Sequence, residues 1–527
     1  MITTILYNTQ ARNYLIQGID ITNQTISFTL GPSGRNVLLH KNSNLPIIIN
    51  HGYTILKELE VEDFTKNLGI KLMYQAASKT NDVVGDGTAS TVIIAYHLIS
   101  LGFKHTSVGA NTKNLVLGIT KSANFLTDKI NEYAKPVSSC NILSNIATLA
   151  LDNNYLIGKM IAEVIETVGL EGSISFEQST TSNTYAKIIH GIKLNQGIFS
   201  SLFVRKQEAA KIIQNNPYIL VTDQEINDVE KELLPLLELI AKTNRSLLII
   251  AKDLSPTVLS TLIINRSQGI LDVVAIRIPG FGVNSKSILE DLCIVTHSQI
   301  ISNETGVKLS ALNLSSLGEA RQAILDNKST IIILDSCNTS LHKRSNQLRK
   351  QINISSNIYD IENLKTRLAR VSGKAAIINI SANDDIEFQY KKFQFEKALK
   401  NIRAALEEGV LPGGGSIYAH LALELSSWAK QCLLDDELTG SLLVKDSLIS
   451  PLKNIISNVG GNQALVIDKL LTYNFDTGYD ANCKNFVNMY QEGILDSAKT
   501  VRLIIHNAIS IAKMFLTTEC VIMHSPD

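Results

Sequence analysis

The chain has 527 residues, 45% hydrophobic and 19% charged, enough apolar material for roughly two to four domains. Lysine plus arginine and aspartate plus glutamate both number 49 and cancel, and no basic block stands out, which leaves a nucleic-acid or anionic-membrane partner without electrostatic support. The six cysteines are scattered without a Cys-x-x-Cys, as in a reducing compartment and without a zinc site, and no apolar run reaches the length of a membrane helix.

The opening Met1-Ile2-Thr3-Thr4-Ile5-Leu6-Tyr7 has neither a basic stretch followed by a long apolar one nor an Arg/Ser-rich leader, so the protein is expected to work where it is made. Ala11, Leu15, Ile19, Ile26 and Phe28 predict a helix running into a short extended piece over 8–29. The turn Thr29-Leu30-Gly31-Pro32-Ser33-Gly34 follows, and 37–40 and 46–49 read as hairpin strands. A long helix is expected over 57–80, with Leu68, Leu72 and Ala76 on one stripe.

That helix delivers the chain to Gly85-Asp86-Gly87-Thr88-Ala89-Ser90, after which 92–99 reads as a buried helix. Glycines let a backbone approach phosphate oxygens, and a helix start beyond them offers unpaired N–H groups and the positive end of its dipole. Asp86 supplies the hard oxygen that Mg²⁺ takes beside nucleotide phosphates. Taken alone, the stretch also reads as a glycine turn with a capping aspartate.

Helical pattern continues to about 135 and again over 141–172, with 173–176 extended. At Gly191 the character changes to α/β: strands at 218–221, 247–250, 273–276 and 331–334, with helices at 227–242 and 255–267 between the first three, imply a compact, mostly parallel domain. Charged helical pattern fills 341–370, a strand is expected over 375–380, and a helix over 388–408 is broken by Gly409-Val410-Leu411-Pro412-Gly413-Gly414-Gly415. Helices fill most of the remainder, with a turn at 493–496 and a last helix closing near Cys520.

Six motifs stand in the order and approximate spacing of a group I chaperonin, which the chain resembles over its whole length. They are Thr29-Leu30-Gly31-Pro32-x-Gly34-Arg35-Asn36, Gly85-Asp86-Gly87-Thr88, Pro279-Gly280-Phe281-Gly282, Arg403-Ala404-Ala405-x-Glu407-Glu408-Gly409, Gly413-Gly414-Gly415 and Thr517-Thr518-Glu519-Cys520. The resemblance implies a multidomain chaperonin fold: a mainly α-helical equatorial ATP domain (1–133 and 409–527), a small α+β intermediate domain (134–190 and 374–408) and an α/β apical domain (191–373). It also implies two stacked seven-membered rings, unfolded polypeptide clients and a small, ten-kilodalton-type co-chaperonin.

The resemblance places ATP against Thr29, Leu30, Gly31 and Pro32, and its phosphates on Gly87, Thr88, Ala89 and Ser90, with Asp86 as the catalytic magnesium ligand. Gly414 and Asp496 match residues around the nucleoside, and Asp480, Ala481 and Asn482 the base-contacting segment. Two departures stand out. His51 and Lys397 occupy positions that are normally aspartates, credited in the family with orienting and activating the attacking water. A protonated lysine cannot serve as that base, and a neutral histidine differs in reach, so an ATPase with slowed hydrolysis is expected. Outside the family context, Lys397 reads as a solvated helix position paired with Glu396 or Glu407.

In the helix around 229–240, Leu233, Leu236 and Ile240 suffice for a core stripe, leaving Leu234 and Leu237 as extra apolar surface. Leu259 and Ile263 are offset in the same way from Val258 and Leu262. Both helices are either buried on two sides or line an exposed groove. The resemblance favours the groove, with Leu234, Leu237, Leu259, Ile263 and Ile264 joined by Ile198, Leu202 and Phe203 as the client surface. Pro136, Gly191 and Gly409 sit at expected joints, and Lys374 stiffens the joint at Ser372-Gly373. The function implied is ATP-regulated folding of captured polypeptides in a ring cavity, or alternatively a hydrolysis-impaired structural subunit of a mixed ring. Biased composition favours a plastid over a bacterial cytoplasm.

Overall fold

The computed structural model describes every residue except 1, 40–46, 138, 152–153, 170–172, 180, 195, 204–211, 244, 279–282, 303–305, 307–308, 310–311, 328, 335–338, 356, 372–373 and 526–527. The motif Pro279-Gly280-Phe281-Gly282 and the joint Ser372-Gly373 lie outside the described residues. The chain divides into two units, residues 1–162 with 389–527, and residues 163–388.

The first unit is built from long helices whose apolar residues recur at helical spacing. Asn8–Ser27, Phe64–Val84, Thr88–Ser107, Thr112–Tyr133, Ser416–Cys432, Asp435–Leu448 and Ala498–Thr517 bury one core that includes Ile19, Met73, Ile94, Leu126, Leu421, Ile505 and Phe515. The crossing of Thr112–Tyr133 and Asp435–Leu448 is close because a glycine on each helix meets the backbone of the other. A Cβ on Gly118 would fall 2.0 Å from the carbonyl oxygen of Glu437, and one on Gly440 2.2 Å from that of Leu115. Beside them Ser122 donates to Ser441 at 2.8 Å, so the buried hydroxyl pair is satisfied.

The helix expected over 57–80 is two helices, Gly52–Glu58 and Phe64–Val84. Asp63 caps the second by accepting from the N–H groups of Thr65 and Lys66, which stops the apolar stripe from running through. The two chain ends also form an antiparallel pair that local pattern does not show. Ile2–Tyr7 runs against Cys520–Ser525, in register from Ile2 opposite Ser525 to Tyr7 opposite Cys520. Arg12, buried, donates to the carbonyls of Thr518 and Leu516 and pairs with Glu519, which gives the Thr-Thr-Glu-Cys motif a structural task at this seam.

In the second unit the parallel strands Tyr218–Val221, Leu247–Ala251 and Val273–Arg277 form a four-stranded sheet, with Gly318–Glu319 antiparallel at its edge. The strands read as continuous apolar runs because helices Leu234–Ala241, Pro256–Ser267 and Val283–Thr296 accompany them and Ile219, Leu248, Ile249 and Val274 are wholly buried. The expected strand over 331–334 is real, as Thr330–Ile333, but it belongs to a separate six-stranded sheet. There it pairs antiparallel with Tyr185–Leu194 and Gln322–Leu325. Gly191 lies inside that ladder, where a Cβ would meet the Ile332 carbonyl oxygen at 2.1 Å, so its role is close strand approach.

Candidate functional site

A cavity of about 490 Å³ opens in the first unit. It collects segments that are remote in sequence: Thr29, Leu30, Gly31 and Pro32; Asp86, Gly87, Thr88, Ala89 and Ser90; Gly414; Asp480, Ala481 and Asn482; and Asp496. His51 and Lys397 line the same cavity. Every nucleotide-site residue expected from the sequence is therefore on its wall.

Each segment is held there for an identifiable reason. Helix Phe64–Val84 ends at Gly85, whose φ of 71° is the left-handed conformation glycine adopts freely. Lys400 donates to the end carbonyls of Asn81 and Asp82 at 3.3 and 3.2 Å. Gly87, with φ of 77°, starts the helix Thr88–Ser107, and no side chain caps that start. The N–H groups of Thr88, Ala89 and Ser90 precede the first intrahelical bond, from Thr91 to Gly87, and remain available to an anion at the dipole's positive end. A Cβ at Gly87 would come within 2.3 Å of Ile504 Cδ1, so a larger residue would have to push that side chain aside as well as adopt the left-handed backbone.

A second such start faces the cavity. Gly414 and Gly415, at φ 62° and 78°, lead into Ser416–Cys432, again without a side-chain cap. The 29–32 loop is held from beneath by Asn458, whose amide donates to the carbonyls of Ser27 and Leu30 at 3.0 and 2.8 Å. Pro451, Ile455 and Tyr479 add apolar wall. Two dipole ends, an apolar flank and a carboxylate together suit a nucleoside polyphosphate.

The charged centre of the cavity is a cluster on Asp86. Its Oδ1 accepts from the Gly87 N–H at 2.8 Å and lies 3.1 Å from the ammonium of Lys397. Its Oδ2 accepts from the amide of Asn401 at 3.3 Å, and Asn401 in turn accepts from Thr500 at 3.5 Å. Lys397 and Asn401 lie one turn apart on helix Asp385–Glu408 and so reach the same carboxylate. That helix comes close because position 85 is glycine: a Cβ there would sit 3.3 Å from Lys397 Cα. Lys397 is thus no solvated helix position. Glu396 meets Lys392 at 3.9 Å, and Glu407 pairs with Lys499.

Asp496, in strand Leu495–Ser497, is raised to about 7 by its enclosure and then by the charge of Asp86, with Lys397 opposing. The same two carboxylates, after burial, push the Tyr418 hydroxyl upward. His51 precedes helix Gly52–Glu58, and its ring packs on Tyr390 and Phe393 with centroids 5.5 and 5.3 Å apart.

A nucleotide-bound magnesium ion needs a carboxylate with a free oxygen lone pair facing the phosphates. At Asp86 the Oδ1 oxygen already holds the Gly87 N–H and the Lys397 ammonium, and Oδ2 keeps one lone pair beside the Asn401 amide, so a metal there would share the carboxylate with a resident cation. Among the described residues no group of three or more His, Cys, Asp or Glu side chains could hold a metal by itself. The residues fit the phosphates, and at Asp86 a metal would have to compete with the ammonium of Lys397.

The expected client residues lie in the second unit with unequal exposure. Leu202, Leu234 and Ile264 are exposed at 71, 43 and 52%. Ile198, Leu259 and Ile263 are half-buried against the core. Phe203 at 1% and Leu237 at 5% are core residues, contrary to the expectation that they face a groove. For Leu237 the reason is its spacing. Leu233, Leu236, Leu237 and Ile240 form one i, i+3, i+4, i+7 stripe, and all four are buried. Phe203 turns inward from a short helical turn, where its carbonyl accepts from the buried Arg266.

Asn401 and Asn458 escape a reading of the sequence, because a helical asparagine carries no periodic signal. Only a motif's fixed spacing to them could have found them.

Residues 23–526 match the profile of the TCP-1/cpn60 chaperonin family. The chain is also 42% identical, over 527 residues and the full length of both proteins, to a protein named "Chaperonin GroEL, chloroplastic" from Gracilaria tenuistipitata var. liui. With a family match spanning nearly its whole length, the chain belongs to the TCP-1/cpn60 chaperonin family.

Proposed function

We propose that the protein is an ATP-regulated chaperonin of plastids. It captures unfolded polypeptides on an apolar surface and releases them to fold within a ring closed by a small co-chaperonin. The observation that carries this reading is the convergence of residues 29–32, 86–90, 414 and 480–482 with Asp496 on one cavity. Adenosine triphosphate lies with its phosphates on the N–H groups of 88–90 and its base beside 480–482. Residues 1–133 with 409–527 form the nucleotide domain, 134–190 with 374–408 the intermediate part and 191–373 the client domain. The chloroplastic name of the relative supports the plastid; a bacterial cytoplasm is the alternative.

Lys397 on Asp86 and His51 against two aromatic rings favour slow hydrolysis, since neither side chain presents a free carboxylate to a water molecule. They also favour a second reading, in which the chain is a nucleotide-binding structural subunit of a mixed ring with a competent sister. Single-turnover phosphate release from the purified protein tests the first point. A rate equal to that of a relative with both aspartates would refute slow hydrolysis. ATP-dependent refolding of a denatured client, with native mass spectrometry of the complexes, separates the readings. A homo-oligomer that refolds clients supports the first, and a complex that always contains a sister chain supports the second.

A further inference from the structure

We infer that Lys397 supplies, from the protein itself, the positive charge at Asp86 that a divalent cation otherwise brings, so that this pocket takes ATP with little dependence on magnesium. The inference rests on the nucleotide reading of the cavity and extends it to the ionic form of the ligand.

The geometry favours a resident cation. Lys397 Nζ lies 3.1 Å from Asp86 Oδ1, and both residues line the cavity. Asn401 holds the other oxygen of Asp86. A magnesium ion at Asp86 would have to displace the ammonium or share one carboxylate with it, and the two cations repel. An ammonium is a compact point charge with three donors, and lysine binds phosphate in this manner elsewhere in proteins. One donor directed to Asp86 leaves others for phosphate oxygens, while the N–H groups of 88–90 bind without any metal. The helix carrying Lys397 is pressed against the loop at Gly85, which fixes the lysine at this carboxylate.

The test is calorimetric titration of the full-length protein with ATP, in EDTA and in millimolar Mg²⁺. The expected result is a Kd that changes by less than about threefold between the two conditions. Lys397→Asp should gain a magnesium requirement, binding at least about tenfold tighter with the metal than without. Lys397→Met, which keeps the length of the side chain, should bind more weakly than the native protein in EDTA. A native protein whose affinity falls tenfold or more when magnesium is removed would overturn the inference while leaving the nucleotide site standing. Failure to bind ATP in either condition, in native and variant proteins alike, would overturn the nucleotide reading and this inference with it.

Discussion

The cavity around Asp86 and the exposed apolar residues of the second unit respond to substitution by different rules. Around Asp86 a change of residue reverses a charge: a lysine where an aspartate is expected becomes an ion-pair partner and alters what the carboxylate is free to do. In the second unit Leu202, Leu234 and Ile264 present hydrocarbon to solvent, where exchanging one apolar side chain for another would keep the same kind of surface. Hydrophobic capture depends on area and tolerates such exchange, whereas water activation depends on one acceptor at one place. A chaperonin can therefore keep its binding surface while its hydrolytic chemistry drifts.

The largest effect expected from breaking this contrast is on hydrolysis. Placing aspartate at both 51 and 397 should raise ATP turnover by roughly 10²-fold, the usual worth of a positioned base, with no change in client capture. Steady-state phosphate release would show it, and an unchanged rate would mean that neither position limits the reaction.

The next effect concerns what the pocket needs from its glycines. Gly87→Ala combines a left-handed φ of 77° with a Cβ driven onto Ile504, and should destabilise the first unit by about 3 kcal/mol. Urea unfolding monitored by circular dichroism measures this. A loss under about 0.5 kcal/mol would contradict the geometry.

A comparable loss separates the two kinds of leucine. Leu237→Ala removes a core contact and should cost about 2–4 kcal/mol, while Leu234→Ser and Ile264→Ser should leave stability within about 0.5 kcal/mol. The serine variants should instead hold back fewer unfolded polypeptides in an aggregation-suppression assay. If Leu234→Ser and Leu237→Ala behaved alike in both measurements, the distinction between core stripe and exposed surface would fail.

The smallest effect is on pH dependence in the first unit. Burial, followed by the charge of Lys453, lowers the pKa of His97, which also stands edge-on to the Tyr96 ring. Burial lowers that of His420 too, against the opposing pull of the Thr477 carbonyl, which accepts from its Nε2, and of Glu424. The unfolded chain, with imidazoles near 6.5, then binds protons more readily than the folded one. Their contribution is complete above 6.5 and is lost as pH falls through the lower folded values. Melting at pH 7.5 and 5.5 should give a lower Tm at 5.5, and replacing both with glutamine should shrink the difference. An undiminished difference would assign it to other groups.

The cavity was legible in advance through the family resemblance, which assigned 29–32, 86–90, 414, 480–482 and 496 to one site. Read alone, Gly85-Asp86-Gly87 also fitted a capped glycine turn, and the left-handed glycines and uncapped helix starts emerged only in the structure. What escaped was non-local. The strand Ile2–Tyr7 finds its partner at the other end of the chain, and no local alternation announces that pairing. Thr330–Ile333 has the same apolar run as the parallel strands, so its membership of another sheet could not be read from composition. Leu237 was misplaced by counting too narrow a stripe. Asn401 acts through a carboxylate that is remote in sequence.

Photolabelling with 8-azido-ATP, followed by peptide mapping, asks most directly where the nucleotide lies. The expected outcome is label on peptides containing residues 29–32, 451–455 or 479–482, removed by excess unlabelled ATP. Label confined to residues 163–388, or label that ATP does not displace, would contradict the placement of the nucleotide.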